Sequence, residues 1–289
     1  MGLVNEAWRL TKESVLGFME DAALSHAAAM AFFAVTSLGP ILLLVVAVAG
    51  LAFGHDAARD AVASQLTGLM GRQSAEVLQS ILQSASNPNS GTLATVVGLL
   101  ALLLTASGVF GEMQSALNII WKTKPAGTSV SRLVRARTAS LGLVIALGFL
   151  LMVSLAVSAA ITALGTILDS KLPFGEELIA VVNALISYLL IALLFAAIYK
   201  VLPDRALEWR DVWVGAFVTA GLFMIGKSLI GLYIGSSAVG SSYGAASALI
   251  VILLWIYYSS LIFLIGAEFT RAYSLAHGSH MGSNLTSRR

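Results

Sequence analysis

The chain contains no cysteine. That excludes disulfides, thiolate metal sites and cysteine nucleophiles together. Charge is scarce as well: 11% of the 289 residues are Asp, Glu, Lys or Arg, against about 25% in a soluble domain. So little polar surface cannot coat a soluble globule. With 58% apolar residues and a mean hydropathy of +0.88, lipid has to be the solvent for much of the chain. The net charge of +2 gives no reason to expect nucleic acid as a partner. Histidine is thin too: His26, His55, His277 and His280 are scattered, with no HExxH and no His–carboxylate cluster at metal spacing. No metal or cofactor is therefore expected. No Gly-x-Ser-x-Gly elbow occurs and no Ser-His-Asp set assembles on one side, so the expectation is a protein that is not an enzyme. Residues 1–28 carry Glu6, Glu13, Glu20 and Asp21 in place of an apolar signal-peptide core. Position 6 lacks the Ser or Thr that myristoylation requires.

What the sequence does have is apolar runs long enough to cross about 30 Å of hydrocarbon. There are six, at Ala27–Phe53, Thr92–Phe110, Thr138–Leu164, Leu178–Val201, Val212–Gly235 and Ala245–Phe269. Each must be helical, because backbone polar groups in lipid have to be satisfied within their own segment. The predicted fold is therefore all-α: a polytopic membrane protein of six transmembrane helices in one domain over residues 1–275. The tail 276–289, with His277-Gly-Ser-His-Met281, reads as disordered or tag-like. Gly231-xxx-Gly235 and Ser154-xxx-Ser158 are small-residue pairs that suit close helix packing.

Positive charge orients the spans. Arg9, Lys12, Lys122, Lys124, Arg132, Arg135, Arg137, Lys200, Arg205, Arg210, Arg271, Arg288 and Arg289 fall on one side; only Arg59, Arg72 and Lys171 fall on the other. Both termini are thus expected in the cytoplasm of a bacterial inner membrane. Residues 1–26 form an expected interfacial helix, with Val4, Trp8, Val15, Phe18 and Met19 near one face. Residues 54–91 form a small extracytoplasmic helical cap broken near Gly71, with Leu66, Leu69 and Met70 as one apolar set and the Asn87-Pro88-Asn89 turn at its end.

Within the runs one basic residue is out of place. Lys227 completes a formal P-loop pattern, Gly221-Leu-Phe-Met-Ile-Gly226-Lys227-Ser228. A phosphate cradle needs strand, polar loop and helix, whereas this match lies inside a continuous apolar stretch. A lysine there either snorkels outward or faces a cavity that holds an anion, with Tyr243 a neighbour at similar depth. Ionisable residues at the inner ends of spans are further candidates because burying them is costly: Asp21 and His26 before span one, Glu112 after span two and Glu268 near the end of span six. Lys227 lies roughly 22 Å from the inner start of its span at 1.5 Å per residue, which separates it from Glu268. Pro40 inside span one frees a backbone carbonyl and is a candidate hinge. Trp121, Trp209, Trp213 and Tyr199 fall where an aromatic belt would lie.

An ordered set of short motifs resembles the YihY/BrkB family of bacterial inner-membrane proteins, once labelled ribonuclease BN. These motifs are Ala116-Leu117-Asn118-Ile119-Ile120-Trp121, Tyr199-Lys200-Val201-Leu202-Pro203, Trp213-Val-Gly215-Ala216, Tyr243-Gly244, Leu254-Trp255-Ile256-Tyr257-Tyr258-Ser259 and Gly266-Ala267-Glu268-Phe269. They cover about residues 10–275 together with Asp21, Ala27-Ala-Ala-Met-Ala-Phe-Phe and Ser37-Leu-Gly-Pro40. The resemblance implies six spans in the inner membrane, and it adds Asn118 and Tyr243 to the candidate site residues. Nothing in these residues supports a ribonuclease. The expected function is a transporter or flippase-like protein for an anionic or amphipathic substrate, such as a lipid, without an ATP-driven engine of its own. The alternatives are a non-transporting membrane scaffold for envelope assembly and, more remotely, a membrane-embedded enzyme. Membrane lipids are the expected partners; the sequence leaves the oligomeric state open.

Overall fold

The computed structural model describes residues 3–70, 76–77, 79–80, 108–123, 175–205, 207–236 and 245–277. The expected span Thr138–Leu164, most of Thr92–Phe110, the far end of the cap, Tyr243 and the tail from residue 278 lie outside these. The described residues form helices without strand: α1 Leu3–Glu20, α2 Ala23–Phe53, α3 His55–Met70, α4 over 108–120, α5 Gly175–Val201, α6 Trp209–Ser236 and α7 Ala245–His277. Three stretches, Val181–Val201, Trp209–Leu232 and Leu249–His277, are long and apolar enough to cross a membrane. The bent pair Asn5–Glu20 and Ala23–Leu38 makes a fourth if it is treated as one span.

α1 and α2 meet at 66°. The turn is made at Ala22, whose φ of 51° and ψ of 37° are left-handed. No glycine or proline is there to relieve this, and a non-glycine residue in that region costs about 1–2 kcal/mol. Pro40, by contrast, lies within the unbroken helical run of α2. α1 buries a narrow stripe of Leu10, Ser14, Gly17 and Asp21 at helical spacing and leaves Trp8, Val15, Leu16 and Met19 exposed. Its apolar face points away from the bundle, as suits a helix lying in a membrane interface.

α7 is the central helix. It packs against α1, α2 and α6 at once and touches α3. The backbones approach closely where side chains are missing: Cβ atoms at Gly215, Gly226 and Gly266 would collide with Thr270, Tyr258 and Thr219 respectively. Gly231 has open space instead, so its small-residue pair is not a seam at that end. Thr219 and Thr270 donate to the carbonyls of Gly215 and Gly266 (2.7 Å each), so neither hydroxyl is stranded in the apolar interior.

Two apolar clusters share this scaffold. The first joins Ala27, Met30, Leu117, Trp121, Phe195, Tyr199, Val212, Ala216 and Phe263. The second joins Leu42, Val46, Ala58, Val62, Ile230, Ile252 and Trp255. α3 therefore folds back onto α2 through Ala58 and Val62, while the side chains of Leu66, Leu69 and Met70 lie outside the described set. Between the clusters the rings of Phe195, Tyr199, Phe223 and Phe263 pack at centroid distances of 5.3 to 6.5 Å. Trp121 and Tyr199 are 2% and 1% exposed. They are core residues and not belt anchors: Tyr199 is enclosed by Phe195, Thr219 and Phe263, and Arg205 lies over Trp121; Trp209, at 52%, is exposed as an anchor would be.

Candidate functional site

One end of the bundle gathers charge from distant parts of the chain. Asp21, at the α1–α2 turn, and Glu268, on α7, are 7% and 1% exposed. Lys122 reaches Asp21 Oδ1 from the turn that ends α4, its own backbone left-handed at φ 50°. Arg271, one helical turn from Glu268, lies 3.6 Å from Glu268 Oε2. The remaining oxygens, Asp21 Oδ2 and Glu268 Oε1, are buried and have no hydrogen-bond partner. The two carboxyls share one patch: the Asp21 N–H donates to the carbonyl of Gly17 (2.8 Å), and Gly17 lies directly against the Glu268 carboxyl, so each group feels the other's charge. Such orphaned oxygens are rare in proteins, since burying an unpaired polar group costs about 1–3 kcal/mol and more for a charge.

Two further clasps flank this cluster. His26 Nδ1 lies 2.6 Å from Glu112 Oε1, joining α2 to α4. Asn118 is 7% exposed and grips the loop after α5 with both ends of its amide: Nδ2 donates to Asp204 Oδ2 (2.8 Å) and Oδ1 accepts from the Asp204 N–H (2.9 Å). Arg205 donates to the carbonyl of Trp121 (3.1 Å) and stacks over its ring. Farther along α7, Ser274 donates to Asp211 Oδ2 (2.7 Å) and ties it to the start of α6.

Lys227 is remote from all of these. Gly226 faces Tyr258, and Tyr258 precedes Glu268 by about 15 Å of helix at 1.5 Å per residue. The stripe that α6 buries runs through Val212, Ala216, Ala220 and, partly buried, Phe223. At the level of Lys227 the buried positions are Gly226 and Ile230, while Lys227, Ser228 and Leu229 are exposed, so Lys227 borders that stripe on the side of Phe223. The opposite stripe, Leu222, Ile225, Leu229 and Leu232, is the exposed apolar one. The neighbouring helix α5 packs on α6 through Phe195 and Phe223, but its residues 181–185 are all exposed. Tyr188, farther along α5, still stacks on Phe217 of α6. An apolar groove of about 330 Å³, lined by Leu229, Ile230, Leu254, Tyr257, Tyr258 and Leu261, runs along the α6–α7 seam nearby.

Of the residues singled out from sequence, Asp21 and Glu268 come together, as do His26 and Glu112, while Asn118 makes a separate clasp. The family described as Virulence factor BrkB matches residues 15–286. The chain belongs to the BrkB family. Several relatives of this chain are named UPF0761 membrane proteins. One from Ralstonia nicotianae is 31% identical over 252 residues, covering 86% of this chain and 55% of its own. One from Halorhodospira halophila is 31% identical, covering 75% and 43%, and one from Yersinia pestis is 31% identical, covering 68% and 64%. The chain thus spans about half the length of the first two of these relatives. No solved structure matches it.

Several members of the charge cluster and its clasps escaped the sequence reading, Arg205, Asp211 and Ser274 among them. Lys122, Arg271 and Asp204 looked like ordinary loop or end charges, and Gly17 carried no signal. The one usable clue was position: Lys122 directly follows the Asn118–Trp121 motif, and Asp204 directly follows Pro203. Among the described residues no group of three or more His, Asp or Glu side chains converges as a metal site would require.

Proposed function

We propose that this BrkB-family protein is an inner-membrane carrier of six spans, both termini cytoplasmic, which moves an anionic or amphipathic substrate such as a phospholipid. It is not an enzyme on this reading. The observation that carries the proposal is Lys227, an exposed basic residue at the border of the buried stripe of α6, within an apolar span. A lysine at that depth is costly unless it meets water or an anion; on this reading a cavity open at the outer face supplies both. Below it the aromatic layer of Phe195, Phe223 and Phe263 closes the path. Below that, the Asp21–Glu268 cluster lies at the inner end. An outer opening, a plug and an inner polar cluster are the parts that alternating access needs.

The test is transbilayer movement of fluorescently labelled phosphatidylglycerol in proteoliposomes, read by quenching from outside. The unmodified chain should accelerate movement and Lys227→Ala should slow it severalfold. Equal rates for the two chains would remove Lys227 from the mechanism. No acceleration by either would favour a non-transporting scaffold.

A further inference from the structure

The unmatched oxygens of Asp21 and Glu268 have a consequence beyond lining an inner mouth. We propose that these two carboxyl groups form a proton-binding site, holding one proton between Asp21 Oδ2 and Glu268 Oε1, and that this proton clamps α1 onto α7.

Both carboxyls are more than nine-tenths buried, and each has one oxygen already engaged, by Lys122 and by Arg271. The free oxygens meet no N–H or O–H from the protein. Two bare carboxylates buried in one patch repel. One proton makes one group a donor and the other its acceptor, as in carboxyl dyads that share a proton. The charged groups around the pair, Lys122 from the α4 turn and Arg271 on α7, do not remove this need. Their side chains are 50% and 25% exposed, against 5% and 1% for the carboxylates they approach. Water therefore screens the cations more than the anions. From α1 the neutral Gly17 lies against the Glu268 carboxyl, and the buried Ser14 hydroxyl is taken up by the carbonyl of Leu10. A metal ion would meet two cations already in place and only two acidic groups, whereas a proton needs no more than the two free oxygens.

The site also sits where movement is available. Asp21 belongs to the left-handed turn between α1 and α2, and Glu268 lies on the helix that α1 covers. Loss of the proton leaves two adjacent buried anions, and the relief is for α1 to lift. In the carrier reading above, on which this role alone rests, the proton is the coupling ion. The site itself is tested without transport.

The full chain in phosphatidylethanolamine–phosphatidylglycerol vesicles should show, in neutral buffer, the infrared C=O stretch of a buried protonated carboxyl. Glu268→Gln and Asp21→Asn should each abolish it, while their amides keep a hydrogen bond across the pair. No band in the unmodified chain, or a band surviving either substitution, overturns the proposal. A second readout uses the absence of native cysteine. Leu10→Cys, buried under α1, should be alkylated several times faster in alkaline than in mildly acidic buffer, after correction for the thiolate fraction of a free thiol. That excess should vanish in Glu268→Gln. Should the two amide variants fail to fold, the Leu10→Cys chain still decides: no excess over the free thiol overturns the clamp.

Discussion

The carboxyl group of Glu268 rests directly on Gly17: a Cβ at position 17 would lie 2.5 Å from Glu268 Oε2 and 2.9 Å from its Cδ. α1 can reach α7 only because that side chain is absent. Gly17→Ala should therefore destabilise by about 1–3 kcal/mol, the usual cost of overpacking, seen as a lower unfolding temperature in detergent. Glu268→Ala in the same chain should restore part of the loss, because the clash partner is gone. Additive losses in the double variant would show that the two residues do not meet.

Asn118 joins α4 to the loop after α5 by two hydrogen bonds to Asp204. Asn118→Leu leaves a buried N–H and a carboxylate oxygen without that partner, a loss of about 1–3 kcal/mol. A double-mutant cycle with Asp204→Ala should give a coupling of about 0.5–3 kcal/mol. A coupling near zero would contradict the clasp.

Tyr199 donates its buried hydroxyl to the carbonyl of Phe263 (2.7 Å). Tyr199→Phe keeps the ring stack and removes that bond, so stability should fall by about 0.5–1.5 kcal/mol. Tyr199→Ala, which empties the aromatic layer, should cost about 3–5 kcal/mol. Chemical denaturation in mixed micelles compares the two, and equal losses would mean that ring packing contributes little.

Lys227→Cys and Ile225→Cys lie two residues apart on different stripes of α6. In intact vesicles a membrane-impermeant maleimide added outside should label Lys227→Cys and spare Ile225→Cys, which faces the apolar exterior. Labelling of position 227 from the cytoplasmic side alone would reverse the orientation. Equal protection of both would place Lys227 in lipid.

Much of the helical architecture was legible because lipid imposes a simple rule: long apolar runs must be helices. Leu178–Val201 and Val212–Gly235 fall inside α5 and α6, and the start of α7 at Ala245 coincides with the sixth run. The far end of α7 was harder to place. It continues to His277 because Glu268, Arg271 and Ser274 find partners, which hydropathy does not register. The site was legible as residue types and illegible as pairs. Asp21 and Glu268 each stood out as acidic residues beside apolar runs, but their proximity depends on the 66° turn at Ala22, where the sequence carries no breaker. Tyr199 and Trp121 misled for a related reason: an aromatic near a helix end suits a membrane surface as well as a core, and only the neighbours that enclose it, Thr219 and Phe263 for Tyr199 and Arg205 for Trp121, distinguish the two.

The central position of α7 bears on how the molecule is made. Of the described helices it emerges last from the ribosome, yet it supplies the surface on which α1 and α2 come to rest. Until it arrives, Gly17 has no carboxyl to rest against and Asp21 has Lys122 alone, so α1 cannot reach its final position. Assembly must therefore run backward along the chain, with the first helix among the last to find its place.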